Sequence, residues 1–346
     1  MLPPRSESGI PPAISVVVCT YNRSGLLRRA LEALCRQTLA SSEYEIIIVD
    51  NNSHDDTRVV GEDFRRRFSH IRYCFEVQQG LSHARNRGSQ EALGEYVAYT
   101  DDDCEVPEQW LEVAKDVIER MSPGVFGGPY YAYYDTSRPP WLKDTYFSRS
   151  FGDHPHALSQ GEYLSGGNIF FRRSLLRALG GFDPKLGMSG QKIAYGEETA
   201  LQQRIRTEMP DQVAYYEPRL YLYHLARTDH LSIWWIMRSR FHQGRYSYKI
   251  LQGNLPEDLT MVSLLARAAS RLLLLIGDVL YGFSLRDRVR YPYFQNYVYE
   301  HISWHLRELG LYCTQARLLR NRTQLGKKSI SAGLRNQVGK DRQGSG

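Results

Sequence analysis

Tyr96-Val97-Ala98-Tyr99-Thr100-Asp101-Asp102-Asp103 is the stretch on which the reading of this chain turns. Its first five residues form a short, largely apolar run of strand character. Three adjacent carboxylates follow, and nothing beside them in sequence neutralises their mutual repulsion. A chain keeps such a cluster at a strand's end when a hard cation gathers the oxygens. Mg²⁺ or Mn²⁺ takes one or two carboxylates and leaves its remaining positions to water and substrate phosphates. The competing reading is an acidic turn that is merely solvated.

Upstream, the same pattern recurs. Ile14-Ser15-Val16-Val17-Val18 reads as a buried strand that ends in Thr20-Tyr21-Asn22-Arg23. Ser24 is placed to cap the helix carrying Leu27, Leu31 and Leu34. Glu45 to Val49 is a second strand, ending at Asp50 and a polar loop, and Ile71 to Phe75 is a third. Strands alternating with helices make an α/β protein with a parallel sheet covered on both faces. Ligands of such sheets bind beyond the carboxyl ends of the strands. Thr20, Asp50 and Asp101 all stand there, which places the candidate site at one edge.

Composition fits a folded core. The chain has 346 residues, 42% hydrophobic and 24% charged, with a formal net charge of +6. The basic excess gathers late, where Arg317, Arg320, Arg322, Lys327, Lys328, Arg335, Lys340 and Arg342 face only Asp341. That suits an anionic partner, a nucleotide phosphate or a membrane surface, and no nucleic-acid motif accompanies it. Five scattered cysteines without a C-x-x-C pair argue against zinc and disulfides and for a reducing, cytoplasmic setting. The leader, residues 1–13, lacks the apolar core of a secretory signal and reads as flexible.

Beyond about Ser122 the pattern changes. Residues 130–163 are rich in Tyr, Trp, His and Pro and suit a flexible insert facing substrate. Gly166-Gly167-Asn168 reads as a tight turn feeding a strand, and Glu197-Glu198 opens a helix, where negative charge is favoured. The last third reads as helical. Its apolar stretch from Met261 to Leu285 contains Arg267, Arg271 and Asp278, which break any run able to span a bilayer. Two readings stay open for it: a helix lying on the membrane, or one packed on the protein. Residues 326–346 read as a basic, disordered tail.

Four pieces of sequence in fixed order give these observations a family. They are Val17 to Arg23, Ile48 to Ser53, Gly80 to Gly88 with Thr100 to Asp103, and Gly166-Gly167-Asn168 with Gly180 to Asp183 and Gly196-Glu197-Glu198. The chain resembles an inverting family 2 glycosyltransferase over about residues 14–225. The resemblance implies a GT-A fold, a Rossmann-like, mostly parallel sheet flanked by helices, and the helical reading of the last third adds a C-terminal extension at 229–325. It also implies a glycosyltransferase domain at 14–228, with a nucleotide half (14–121) and an acceptor half (122–228).

The same resemblance assigns roles. Thr20, Tyr21 and Arg23 would line the nucleotide pocket. Asp50 would accept from the base, usually uracil, and Arg85 would approach base or diphosphate. Asp103 would ligate Mn²⁺ or Mg²⁺ directly, with Asp101 and Asp102 as metal, ribose or water contacts and His224 as a further ligand. Glu198 would deprotonate the acceptor hydroxyl while Glu197 binds the acceptor; Glu-Glu stands where the family commonly has Glu-Asp. Gly166, Gly167 and Asn168 would admit the donor sugar, and Trp141 would stack on acceptor sugars.

The reaction expected is transfer from a UDP-sugar to a hydroxyl of a glycan or lipid-linked glycan, in the synthesis of cell-surface polysaccharide. The protein would work in the cytoplasm or at the cytosolic membrane face, with the C-terminal region touching anionic lipid. Two alternatives stay beside it. A non-catalytic binding or scaffolding protein would not need every acidic position filled. A sugar-phosphate nucleotidyltransferase would want a glycine-rich, lysine-bearing loop where Thr20 to Gly25 stands.

Overall fold

The computed structural model describes residues 11–190, 194–250, 255–256 and 258–341. It divides into two compact units, Met1–Ser232 and Ile233–Gly346.

The first unit opens with the expected alternation: β1 (Ile14–Thr20), α1 (Ser24–Leu34), β2 (Tyr44–Asp50), α2 (Thr57–Arg67), β3 (Ile71–Phe75), α3 (Leu81–Glu91) and β4 (Tyr96–Asp101). After the acidic turn come β5 (Cys104–Glu105), α4 (Trp110–Met121), β6 (Val125–Gly127), β7 (Tyr130–Tyr133), β8 (His156–Ala157), β9 (Ile169–Arg172), α5 (Arg173–Ala178), α6 (Glu197–Glu208), β10 (Ala214–Tyr216) and β11 (Leu222–Leu225). The main sheet has the order β3-β2-β1-β4-β9-β6-β10-β8, and β5-β11-β7 make a smaller one. The strands β1 to β4 pair in parallel, as the sequence implies. β9 then runs antiparallel between β4 and β6, so the second half of the sheet is mixed.

The apolar runs are continuous because both faces are covered. Val16, Val18, Ile46, Ile48, Tyr96 and Ala98 pack with Leu27, Leu31, Phe64 and Trp110 on one side. Val17, Ile47, Val49, Val97 and Tyr99 face Ala84, Leu175, Leu201 and Ile205 on the other. Each such side chain contributes roughly 1.5–3 kcal/mol when fully buried. Parallel register then aligns the strand ends: Thr20 lies opposite Asp50, and Cys19 opposite Asp101.

Two local expectations change. Ser24 does not cap α1 with its side chain; its backbone N–H instead donates to Asp55 of the neighbouring loop at 2.9 Å. The same two loops are joined again where Asn22 N–H donates to Ser53 Oγ and His54 N–H donates to Asn22 Oδ1. Asn22 and Asn52 take positive φ, 52° and 65°, a region Asn tolerates better than most residues. The insert at 130–163 carries β7, β8 and a short 3₁₀ turn at Asp144–Tyr146 rather than irregular chain throughout.

The second unit is helical: α7 (Ile233–Ile250), α8 (Met261–Ser284), the short α9 (Phe294–Tyr297), a π-helical turn at Val298–Ile302, and α10 (Ser303–Asp341). α10 continues into the stretch expected to be a disordered tail, of which residues 342–346 lie outside the described residues. Residues 1–10 of the expected leader lie outside them too. Among the described residues no helix is long and apolar enough to cross a membrane.

Candidate active site

β4 ends at Asp101, and the chain turns through Asp102 and Asp103 into β5. β5 pairs antiparallel with β11, placing His224 opposite Cys104, and Leu225 N–H donates to the Asp103 carbonyl at 2.9 Å. The sheet pairing thus carries a histidine from 120 residues downstream to the acidic turn. Ligand atoms of Asp101, Asp103, Cys104 and His224 all lie within 4.8 Å of one another. Two carboxylates and an imidazole with a thiol beside them are a fitting donor set for Mn²⁺, which tolerates nitrogen better than Mg²⁺ does. His224 Nε2 stands 3.3 Å from Asp103 Oδ1. Burial alone would pull the imidazole down and push the carboxyl up. Their mutual attraction wins, holding His224 above its ordinary value and Asp103 at about 2.

Asp102 differs from its neighbours. It is 3% exposed, accepts from Thr20 Oγ1 at 2.8 Å and pairs with Arg23 at 2.9 Å. Burial lifts its pKa to about 6 despite that arginine. Thr20 and Arg23 therefore hold the acidic turn in place, Arg23 reaching Asp103 as well at 3.5 Å. Tyr21 is half-buried beside them. Asp50 is buried and caps its own loop, accepting from Ser53 N–H at 2.9 Å and from the Tyr73 hydroxyl at 2.7 Å.

Arg85, on α3, lies inside, its side chain 4% exposed. Nη1 donates to Glu197 Oε1 at 2.7 Å and Nη2 to Asp101 Oδ1 at 3.4 Å. The ring faces of Tyr99 and Phe182 lie 5.8 and 5.5 Å from its guanidinium carbon. One buried cation thus joins the acidic turn to the acidic pair at the start of α6. Glu197 is buried, and desolvation with the charge of Glu198 raises its pKa to about 8 against the pull of Arg85. Glu198, the next residue of the helix, is half-buried.

Gly166 and Gly167 stand in close approach to the side chains of Arg85 and Asp101. A Cβ on Gly166 would fall 2.5 Å from Arg85 Nη2, and one on Gly167 would fall 2.7 Å from Asp101 Oδ2. Asn168 points the other way. Its amide accepts from Trp110 Nε1 and donates to the carbonyls of Pro129 and Leu220, at 3.1, 3.0 and 2.7 Å, within a fully buried pocket. Both amide hydrogens are thereby used, and the side chain ties the start of β9 to Pro129 and Leu220. Trp141 is buried too, its ring 6.5 Å from that of Tyr146. The sequence reading missed Cys104, although it directly follows the aspartates.

Solved GT-A glycosyltransferases share this arrangement of strands and helices. A mannosyltransferase from Pyrobaculum calidifontis, PcManGT, in complex with GDP-Man and Mn²⁺, superposes with a TM-score of 0.55 at 19% identity, covering 87% of this chain and 88% of that one. The S. aureus TarS fragment in complex with UDP-GlcNAc gives 0.52 at 16%, covering 85% and 90%. These likenesses concern the fold. In sequence, residues 15–180 match the family model described as Glycosyl transferase family 2, and the chain belongs to that family of enzymes. The glucosyl-dolichyl phosphate glucuronosyltransferase of Haloferax volcanii is 28% identical over 247 residues, 69% of this chain and 77% of that protein.

Proposed function

We propose that this glycosyltransferase moves a sugar, with inversion, from a UDP-sugar to a hydroxyl of a glycan or lipid-linked glycan used in cell-surface polysaccharide synthesis. The observation that carries the reading is the buried Arg85 joining two sets of carboxylates at one sheet edge: Asp101 of the ligand cluster and Glu197 of the acidic pair. Asp101, Asp103 and His224 would hold Mn²⁺ or Mg²⁺, with Cys104 adjoining. Bound there, the ion would offset the charge of the departing diphosphate.

The chain's own groups do the rest. Asp50 and Tyr21 flank the place where a base would lie. Thr20 and Arg23 fix Asp102, and through it the turn that presents Asp101 and Asp103. Glu198 takes the proton of the acceptor hydroxyl as that oxygen attacks the anomeric carbon from the face opposite the leaving group. Glu197, buried and bound to Arg85, positions the helix start instead of contacting acceptor. A lipid-linked acceptor is supported by the dolichyl phosphate substrate in the name of the archaeal relative. All five cysteines are free, which suits work on the cytosolic side of a membrane.

Calorimetric titration of UDP, GDP and dTDP, with and without Mn²⁺, tests the reading. Manganese-dependent binding of UDP is the expected result. Binding of GDP alone would overturn the donor assignment, and binding indifferent to metal would overturn the role of the cluster.

A further inference from the structure

Within the second unit, α8 carries its apolar face outward. Leu265, Leu272, Leu273, Ile276, Leu280 and Phe283 are each between 47% and 72% exposed. At about 3.6 residues per turn they fall within an arc of roughly 100°. The helix packs through its other side, where Leu264 and Gly282 are its two buried residues. Leu264 meets Leu259 and Leu319 there, and Gly282 closes on Tyr297. A water-facing helix of a soluble protein shows the reverse pattern, with its apolar stripe inward. An exposed apolar strip this long marks a surface that something covers.

The charges beside the strip decide what. Residues 261–293 contain Arg267, Arg271, Arg286, Arg288 and Arg290 against Asp278 and Asp287. Both acids are occupied internally. Asp278 pairs with His305 at 2.7 Å, and Asp287 caps the backbone N–H groups of Val289 and Arg290. Arg267, Arg288 and Arg290 are exposed. A second copy of α8 laid on the first would bring arginines together without the acidic partners that flank a helix–helix seam. Anionic lipid headgroups complement them. Exposed Tyr281 and Tyr293 add the amphipathic rings that favour a membrane–water boundary.

We propose that the outward face of α8 is a lipid-binding surface, lying in the plane of an anionic bilayer with Leu273, Leu280 and Phe283 inserted and Arg288 and Arg290 at the headgroups. This deepens the membrane side of the proposed function but does not depend on the transfer chemistry. The interruption by Arg267, Arg271 and Asp278 keeps the helix on the surface rather than across it.

Flotation of the full chain with vesicles tests it. The protein should float with phosphatidylcholine–phosphatidylglycerol vesicles, less with phosphatidylcholine alone, and less again as salt rises. Leu273→Glu with Phe283→Glu should lower partitioning by roughly tenfold or more. Arg288→Gln and Arg290→Gln should each lower it about fivefold and reduce the salt dependence. Since all four side chains face outward, circular dichroism and nucleotide binding should stay unchanged. Full-length protein that remains soluble with anionic vesicles overturns the proposal, as does a Glu double variant that floats like the parent. So does a dimer in the ultracentrifuge that the Glu variant splits, because a second copy would then cover the face. A protein that floats but transfers no sugar would sink the proposed function and leave this surface standing.

Discussion

The two ends of Arg85 are built from the same functional group and behave differently. At the β4 end, strand pairing fixes the backbone on both sides of the acidic turn, and Asp101, Asp103 and His224 converge as donors. At the α6 end no sheet holds the acids. One glutamate is buried against the arginine, and its neighbour in sequence remains half-buried. Successive helical residues point about 100° apart, so the two glutamates of the pair take different environments. In a tight turn, alternate residues such as Asp101 and Asp103 can converge on one point, as a metal requires. Backbone geometry, more than residue type, separates the proposed ligands from the proposed base.

Substitutions can break or sharpen that contrast. Glu198→Gln should lower kcat on the order of 10²–10⁴-fold with donor binding retained. If Glu197→Gln loses more turnover than Glu198→Gln in the same assay, anchor and base are exchanged. At the other end, Asp103→Ala should cost about 10²–10³-fold in kcat and abolish manganese-dependent nucleotide binding by calorimetry; unchanged metal dependence would dissolve the donor cluster. Arg85→Met takes from Glu197 and Asp101 their shared cation, and denaturant unfolding above pH 8, where Glu197 is ionised, should show a loss of about 3–5 kcal/mol. A loss below about 1 kcal/mol, the scale of an exposed pair, would mean that the arginine does not join the two ends.

The smallest effect is on pH dependence. Glu197 rises from an ordinary 4.5 to about 8 in the folded protein, with burial as the leading cause. Between those values the unfolded chain has released a proton that the folded one retains, so stability falls as pH rises across that window. The melting temperature of the parent, measured against Glu197→Gln, should drift downward from pH 5 to pH 8. A flat difference would show that Glu197 is ionised throughout.

Much of the site was legible in the chain. Apolar runs ending in Thr20, Asp50 and Asp101 announce parallel strands, and parallel strands put their carboxyl ends on one edge. The family resemblance pointed to His224, and the β5–β11 pairing brings it to Asp103. The surroundings of Asn168 and Arg85 were not legible. Both are polar residues beside glycines in a motif, and nothing local shows that one amide would be used up by Trp110, Pro129 and Leu220 or that one guanidinium would turn inward. Those partners come from 58, 39, 52 and 112 residues away.

The sequence by itself determined the α/β alternation, the acidic turn at a strand end, the helical character of the last third and the charges that interrupt its apolar run. Each of these follows from residue type and short-range periodicity. Tertiary structure alone decided which carboxylates converge and which are buried. It also decided that Arg85 lies between two acidic groups and that α8 turns its leucines outward. Burial and pairing depend on residues distant in the chain, and the cost of a buried charge is settled only when its partner is in place.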